Sequence, residues 1–264
     1  MPIHKDLLEL QLRLQHARRP YALATVVEII GSSSAKPAAK AVIAEDGQLL
    51  AGWIGGGCAQ SMVAKTALDC LTSGTPKVID VDLTDEIFGA GMPCGGHMRV
   101  YVEPVIPRPQ LWLMGHGRIA ESLCEFADRL GFAVIVDDPQ AIAERFPAAN
   151  RIVADDDRYL QLQPLAGDFV VIATHHKGDY DSLTQALKSE AAYIALVSSR
   201  KRAQLVSMRL AQEGFPEEQL SRIRAPAGLD LGGKLPEEIA LAIASEMIMV
   251  KRGGHGKPLS ATLS

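Results

Sequence analysis

The chain has 264 residues, enough for one large domain or two of ordinary size, with 47% apolar and 22% charged residues, the balance of a soluble globular protein. Its 27 basic and 31 acidic residues leave a net charge of −4, which gives no field to draw it to nucleic acid or to an anionic membrane. No apolar run reaches the length of a spanning helix, so neither class of partner is expected.

The opening "MPIHKDLLELQLRLQ" carries an amphipathic helical pattern and lacks the uncharged core of a signal peptide, which predicts a cytoplasmic protein. "YALATVVEII" is rich in β-branched residues and reads as a strand. "AKAVIAEDGQLLAGWI" reads as a hairpin turning at Asp46-Gly47. A helix follows Cys58, and "KVIDVDL" and "HMRVYVEPV" alternate enough to be strands. This first part is predicted to be α+β with an antiparallel or mixed sheet, over residues 1–106. "EPVIPRPQ" then spaces three prolines closely, the mark of an extended linker.

Beyond it, "QLWLM", "FAVIVDD", "RIVA", "FVVIAT" and "YIALVSS" are short apolar runs separated by helical segments. Strands alternating with helices predict a parallel sheet covered on both faces, a Rossmann-like doubly wound domain over residues 107–252. A last long helix is expected after Pro236, and residues 253–264 read as a flexible tail.

Three features carry chemistry. The first is "GHGRIA" between the first strand and helix of the second part, which sets Gly115, Gly117 and Ala120 in GxGxxA spacing. Two glycines permit the tight turn and the approach of a pyrophosphate to the helix start. Asp137 ends the next strand, where a ribose-binding acid is expected. The second is "GGGC". Gly55, Gly56 and Gly57 can turn their amides toward an anion, and Cys58 would sit at a helix N-terminus that favours its thiolate. A thiolate there suits a soft metal on a phosphorylated ligand. The third is "GMPCGGH", where Cys94 is again framed by glycine, followed by Gly95 and Gly96. "GSSSAKPAAK" adds hydroxyls with Lys36 and Lys40. Cys70 and Cys124 fall on apolar helical stripes and read as packing. His175 and His176 follow the fourth strand of the second part, where an acid–base group of a dehydrogenase could sit.

Taken together, "GSSSAKPAAKAVI", "GWIGGGCAQ", "GMPCGG", "LWLMGHGRIAESLCEFADRLGFAVIVDD", "YIALVSSRKR" and "APAGLDLGGKLPEEIALAIASEM" resemble the XdhC/CoxI family, the accessory factors of xanthine dehydrogenase and related molybdenum hydroxylases. "THHKGDY" is more similar to the branch associated with carbon monoxide dehydrogenase. The resemblance implies a carrier that binds the molybdenum cofactor in its molybdopterin form, protects it, presents it for sulfuration with sulfur from a cysteine desulfurase, and helps insert it into a client hydroxylase. It implies cofactor contacts at Gly55, Gly56, Gly57, Cys58, Cys94 and Gly95, with Cys58 and Cys94 as metal ligands. It also implies a nucleotide turn at Gly115, Gly117 and Asp137, with a further anion contact at Ser199 and Arg200. NAD(P), FAD or a cytidine nucleotide are the alternatives for that turn. Two other functions remain open at this point: an NAD(P)-dependent oxidoreductase using His175 or His176, and a nucleotide-binding redox regulator. The apolar final helix suggests a homodimer.

Overall fold

The computed structural model describes residues 3–82, 96–174 and 178–262. The chain divides into two compact units, Met1–Pro107 and Arg108–Ser264.

The first unit opens with helix α1 (Ile3–His16), followed by strands β1 (Tyr21–Ile30), β2 (Lys40–Ala44) and β3 (Leu49–Gly52). Helix α2 (Gly57–Ser73) and strands β4 (Lys77–Asp82) and β5 (His97–Val105) complete it. The sheet runs β3-β2-β1-β5-β4, and every pairing is antiparallel. Period-two alternation sends Ala22, Ala24 and Val26 of β1 to one face, where Ala59, Val63, Ala67 and Cys70 of α2 cover them. Tyr21 joins Leu7 and Leu14 of α1 on the other face. The β2–β3 turn lies at Asp46-Gly47, where the Gln48 amide donates to Asp46 Oδ1 at 2.9 Å and Gly47 takes φ +85°.

The second unit carries strands β6 (Gln110–Met114), β7 (Ala133–Asp137), β8 (Arg151–Val153), β9 (Phe169–Ile172), β10 (Tyr193–Leu196) and β11 (Ile223–Arg224). They form a parallel sheet in the order β11-β10-β9-β6-β7-β8. The chain starts mid-sheet at β6, winds outward through β7 and β8, then crosses to β9 and winds the other way. Its switch point therefore lies between β6 and β9, where ligands bind such sheets at the strands' carboxyl ends. Leu111 to Met114 are all buried, because helices cover both faces. Helices α3 (Arg118–Arg129) and α7 (Pro236–Arg252) pack on one face, and α4 (Asp179–Leu187) and α5 (Arg200–Gln212) on the other.

The expected fold class is observed in both units. Three details differ from the sequence reading. The last helix includes Pro236, whose missing N–H costs nothing in a first turn. A short helix, α6 (Glu217–Leu220), and strand β11 were not anticipated, since two to four residues carry no readable period. The apolar stripe of α7, with Ala240, Ile243, Ala244 and Met247, is buried within the unit among α3 residues. It therefore no longer argues for self-association.

One acid on α7 ties this unit together. Glu246 Oε2 accepts from Tyr193 Oη at 2.6 Å and from the Gly228 amide at 2.8 Å, and Oε1 accepts from Arg224 at 3.3 Å. Burial and the carboxylate push the Tyr193 phenol pKa well up. Glu246→Ala leaves a buried hydroxyl and an amide without acceptors, each costing about 1–3 kcal/mol. We expect a loss of about 3 kcal/mol in urea unfolding, with Glu246→Gln losing less.

Candidate functional site

In the first unit, the segments singled out by sequence meet at one end of the sheet. The antiparallel register sets Ile30 opposite His97 and Ile29 opposite Met98, with Asp82 of β4 also opposite His97. The end of β1, leading into "GSSS", thus lies beside the start of β5, which follows "GMPCG" in the chain. Gly96 is pressed against that end. A Cβ there would lie 2.5 Å from the Ser32 carbonyl oxygen and 2.7 Å from that of Ile30, so only glycine fits.

The "GGGC" turn reaches the same end. Gly55 takes φ +124°, and its Cβ position is 3.9 Å from Met98 Cε. Gly56 and Gly57 are exposed, and a Cβ on either would meet nothing within 4 Å. Gly56 is the N-cap of α2 and supplies no side-chain cap, while its carbonyl accepts from the Gln60 amide at 3.1 Å. Cys58 is therefore the second helical residue, in a first turn whose amides lack intrahelical acceptors. Partial positive charge gathers there, and an anion or a thiolate is favoured. The side chain of Cys58, and Cys94 and Gly95 altogether, lie outside the described residues, as do His175 and His176.

The lysines divide. Lys40 donates to Thr25 Oγ1 at 2.8 Å and is partly buried along the strand, whereas Lys36 is exposed. Sequence reasoning missed His97 and Asp82, whose Nδ1 and Oδ1 are 3.7 Å apart at this sheet end. Only the β4–β5 register reveals them. Cys70 and Cys124 are fully buried packing thiols, and burial pushes Cys124 up to about 12. Among the described residues no group of three or more His, Cys, Asp or Glu could hold a metal ion.

In the second unit the GxGxxA turn sits at the switch point. Gly115 takes φ +137°, and a Cβ there would lie 2.5 Å from the Ala173 carbonyl oxygen, just past β9. Gly117 is the N-cap of α3, again without a side-chain cap. The start of α3 therefore offers free backbone donors at the strands' carboxyl ends. Gly115→Ala combines a left-handed φ with a backbone clash. We expect it to cost about 2–4 kcal/mol, read as a lowered urea midpoint with unchanged slope.

The acids after β7 are placed unevenly. Asp137 is fully buried and neither carboxylate oxygen has a hydrogen-bond partner among the described residues. Desolvation, followed by the neighbouring charge of Asp156, raises its pKa from 3.8 to about 7. Asp138 instead lies 2.9 Å from His116 Nδ1, the residue between the two glycines. The doublet "DD" could have shown that one acid of the pair turns inward, but not which. Ser199 caps α5, its Oγ accepting from the Arg202 amide at 3.2 Å. Arg200 is exposed and lines an open groove of about 560 Å³ with Gln204, Met208 and Pro226. The described structure thus gathers "GGGC", "GSSS" and Gly96 in one unit, and Gly115, Gly117 and the acid pair in the other. No helix among the described residues is long and apolar enough to cross a membrane.

Comparison with known proteins accords with this division. A family model described as XdhC Rossmann domain matches residues 111–247, more than half of the chain, and one described as XdhC and CoxI family matches residues 14–82. An uncharacterized protein, YqeB, from Escherichia coli is 29% identical over 92% of this chain and 46% of its own length. A protein from Bacillus subtilis, named as a probable subunit of xanthine dehydrogenase, is 29% identical over 58% of this chain and 46% of its own. The chain thus spans just under half the length of each of these two relatives. The molybdenum cofactor insertion chaperone PaoD from Escherichia coli is 21% identical over 94% of this chain and 89% of its own. A crystal structure of a xanthine dehydrogenase from Bacillus halodurans overlays with a TM-score of 0.49 at 24% identity, covering 96% and 98% of the two chains. With its Rossmann unit and its glycine-turn unit each matched in turn, the chain belongs to the XdhC and CoxI family.

Proposed function

We propose that this chain is an accessory protein for a molybdenum hydroxylase of the xanthine dehydrogenase class. It takes up the molybdenum cofactor in its molybdopterin form, shields it, and releases it to the client enzyme. Family membership, and likeness to relatives named as a cofactor insertion chaperone and as a probable subunit of xanthine dehydrogenase, support the accessory role.

One observation carries the site: the bare start of α2, with Gly56 and Gly57 exposed and Cys58 in its first turn, opens at the sheet end where the "GSSS" segment and Gly96 meet. The donor set fits the group. Unclaimed amides receive the phosphate end, and the Cys58 sulfur offers a soft ligand to the metal. Cys94 and Gly95, of "GMPCGG", are the other proposed thiol ligand and cofactor contact. When bound, the cofactor supplies a dithiolene-held metal that a cysteine desulfurase can furnish with sulfur before delivery. Gly115, Gly117 and the start of α3 form a second anion-facing turn, and Ser199 and Arg200 at the start of α5 offer a separate anion contact.

A carrier must also let go, since each 1.4 kcal/mol of added affinity slows release about tenfold. Contacts made mostly by exposed backbone suit that need better than an enclosed cage. Anaerobic purification from molybdate-fed cells tests the reading. Molybdenum and a released pterin are expected with the protein. A molybdenum-free protein that turns over NADH with a small carbonyl compound would be an oxidoreductase instead.

A further inference from the structure

The GxGxxA turn reads as an NAD(H) site only if an acid at the end of the second strand is offered to a nucleotide ribose. Neither candidate acid is. Asp137 closes β7 with its side chain sealed, at 0% exposure, beside Val153 in the strand register. Asp138, one residue on, turns toward the glycine turn but is already engaged. Its Oδ1 accepts from the Gln140 amide at 2.8 Å and lies 2.9 Å from His116 Nδ1. A carboxylate can only accept there, so Nδ1 carries the proton. Side-chain exposure is 17% for His116 and 8% for Asp138, so the pair is shut away together. The Asp138 main chain is held as well, its amide donating to the Val153 carbonyl at 3.0 Å and its carbonyl accepting from the Ala141 amide at 3.0 Å.

We infer that His116 is a specificity-determining residue: by holding Asp138, it withholds the acceptor that would read a nucleotide ribose, so this turn discriminates against NAD(H)-type dinucleotides. An acid that reads a ribose turns its carboxylate outward to accept from the sugar's 2′-hydroxyl. Here one oxygen carries two hydrogen bonds within the protein. A phosphorylated ligand without a ribose, such as the molybdopterin form of the cofactor, meets no such obstacle. This last point rests on the proposed function, whereas the discrimination against NAD(H) does not.

NADH titration of the full-length protein, followed by fluorescence, tests it independently of molybdenum content. Wild type is expected to bind NADH weakly. His116→Ala, which frees Asp138, is expected to tighten binding about tenfold, the worth of a hydrogen bond to a charged acceptor. The double variant His116→Ala/Asp138→Asn is expected to fall back to the wild-type value. His116→Leu replaces His116→Ala if thermal unfolding shows that the latter does not fold. A folded His116 variant with no gain in affinity would overturn the inference. So would tight wild-type binding that Asp138→Asn abolishes. Loss of molybdenum-cofactor binding with the NADH pattern intact would instead count against the proposed function alone.

Discussion

Cys58→Ser is expected to lower the molybdenum that copurifies with the protein by about tenfold or more, the loss for one soft metal ligand replaced by a hard, neutral hydroxyl. The expectation follows from position. Cys58 is the second residue of α2, after an N-cap glycine that supplies no side-chain acceptor. The amides of that first turn face no intrahelical partner, which stabilises a negative sulfur and leaves donors for a phosphate. Serine keeps the size and the backbone but not the thiolate. Cys124→Ala is the control. That thiol is buried in α3 with its pKa raised to about 12, and its removal should leave molybdenum content unchanged. Metal analysis after anaerobic purification reads both. Equal molybdenum in Cys58→Ser and wild type would take the thiol out of the scheme.

The second large effect concerns Asp137. Its folded pKa of about 7 lies above the unfolded value of 3.8. The folded protein therefore binds more protons than the unfolded chain between those limits, and stability must fall as pH rises across them. The contribution of this group is fully present below about pH 4 and lost by the time pH has passed through 7. A separation of that size is worth on the order of 4 kcal/mol. Asp137→Asn removes the titration while keeping the shape. In urea unfolding, the variant should lose less stability than wild type between pH 5 and 8, and should be the more stable of the two at pH 8. A variant less stable than wild type at pH 8 would mean that the ionised carboxylate has a favourable role in the folded state.

Much of the architecture was legible because it rests on patterns that survive without tertiary context. Continuous apolar runs such as Leu111–Met114 announce strands covered on both faces. The GxGxxA spacing announces the turn after the first of them. Cys70 and Cys124 fell on helical stripes and are indeed packed. What was not legible depends on register and on side-chain direction. Asp137 and Asp138 are adjacent and chemically identical, yet strand alternation seals the first and leaves the second to His116. His97 and Asp82 are brought together only by the antiparallel β4–β5 pairing. Glu246 lies within an apolar helix whose stripe suggested a dimer. In the structure that stripe packs on α3, while the acid secures Gly228 and Tyr193. Strand β11, two residues long, gains its identity wholly from β10 beside it.

A protein that carries the cofactor and hands it on must give up its metal to the client. The most direct measurement mixes anaerobically purified, molybdenum-loaded protein with a cofactor-free hydroxylase of the xanthine dehydrogenase class, separates the two, and follows the metal. Molybdenum should leave this chain and appear in the hydroxylase together with activity. Metal that stays with this chain while the hydroxylase remains inactive would contradict the carrier role.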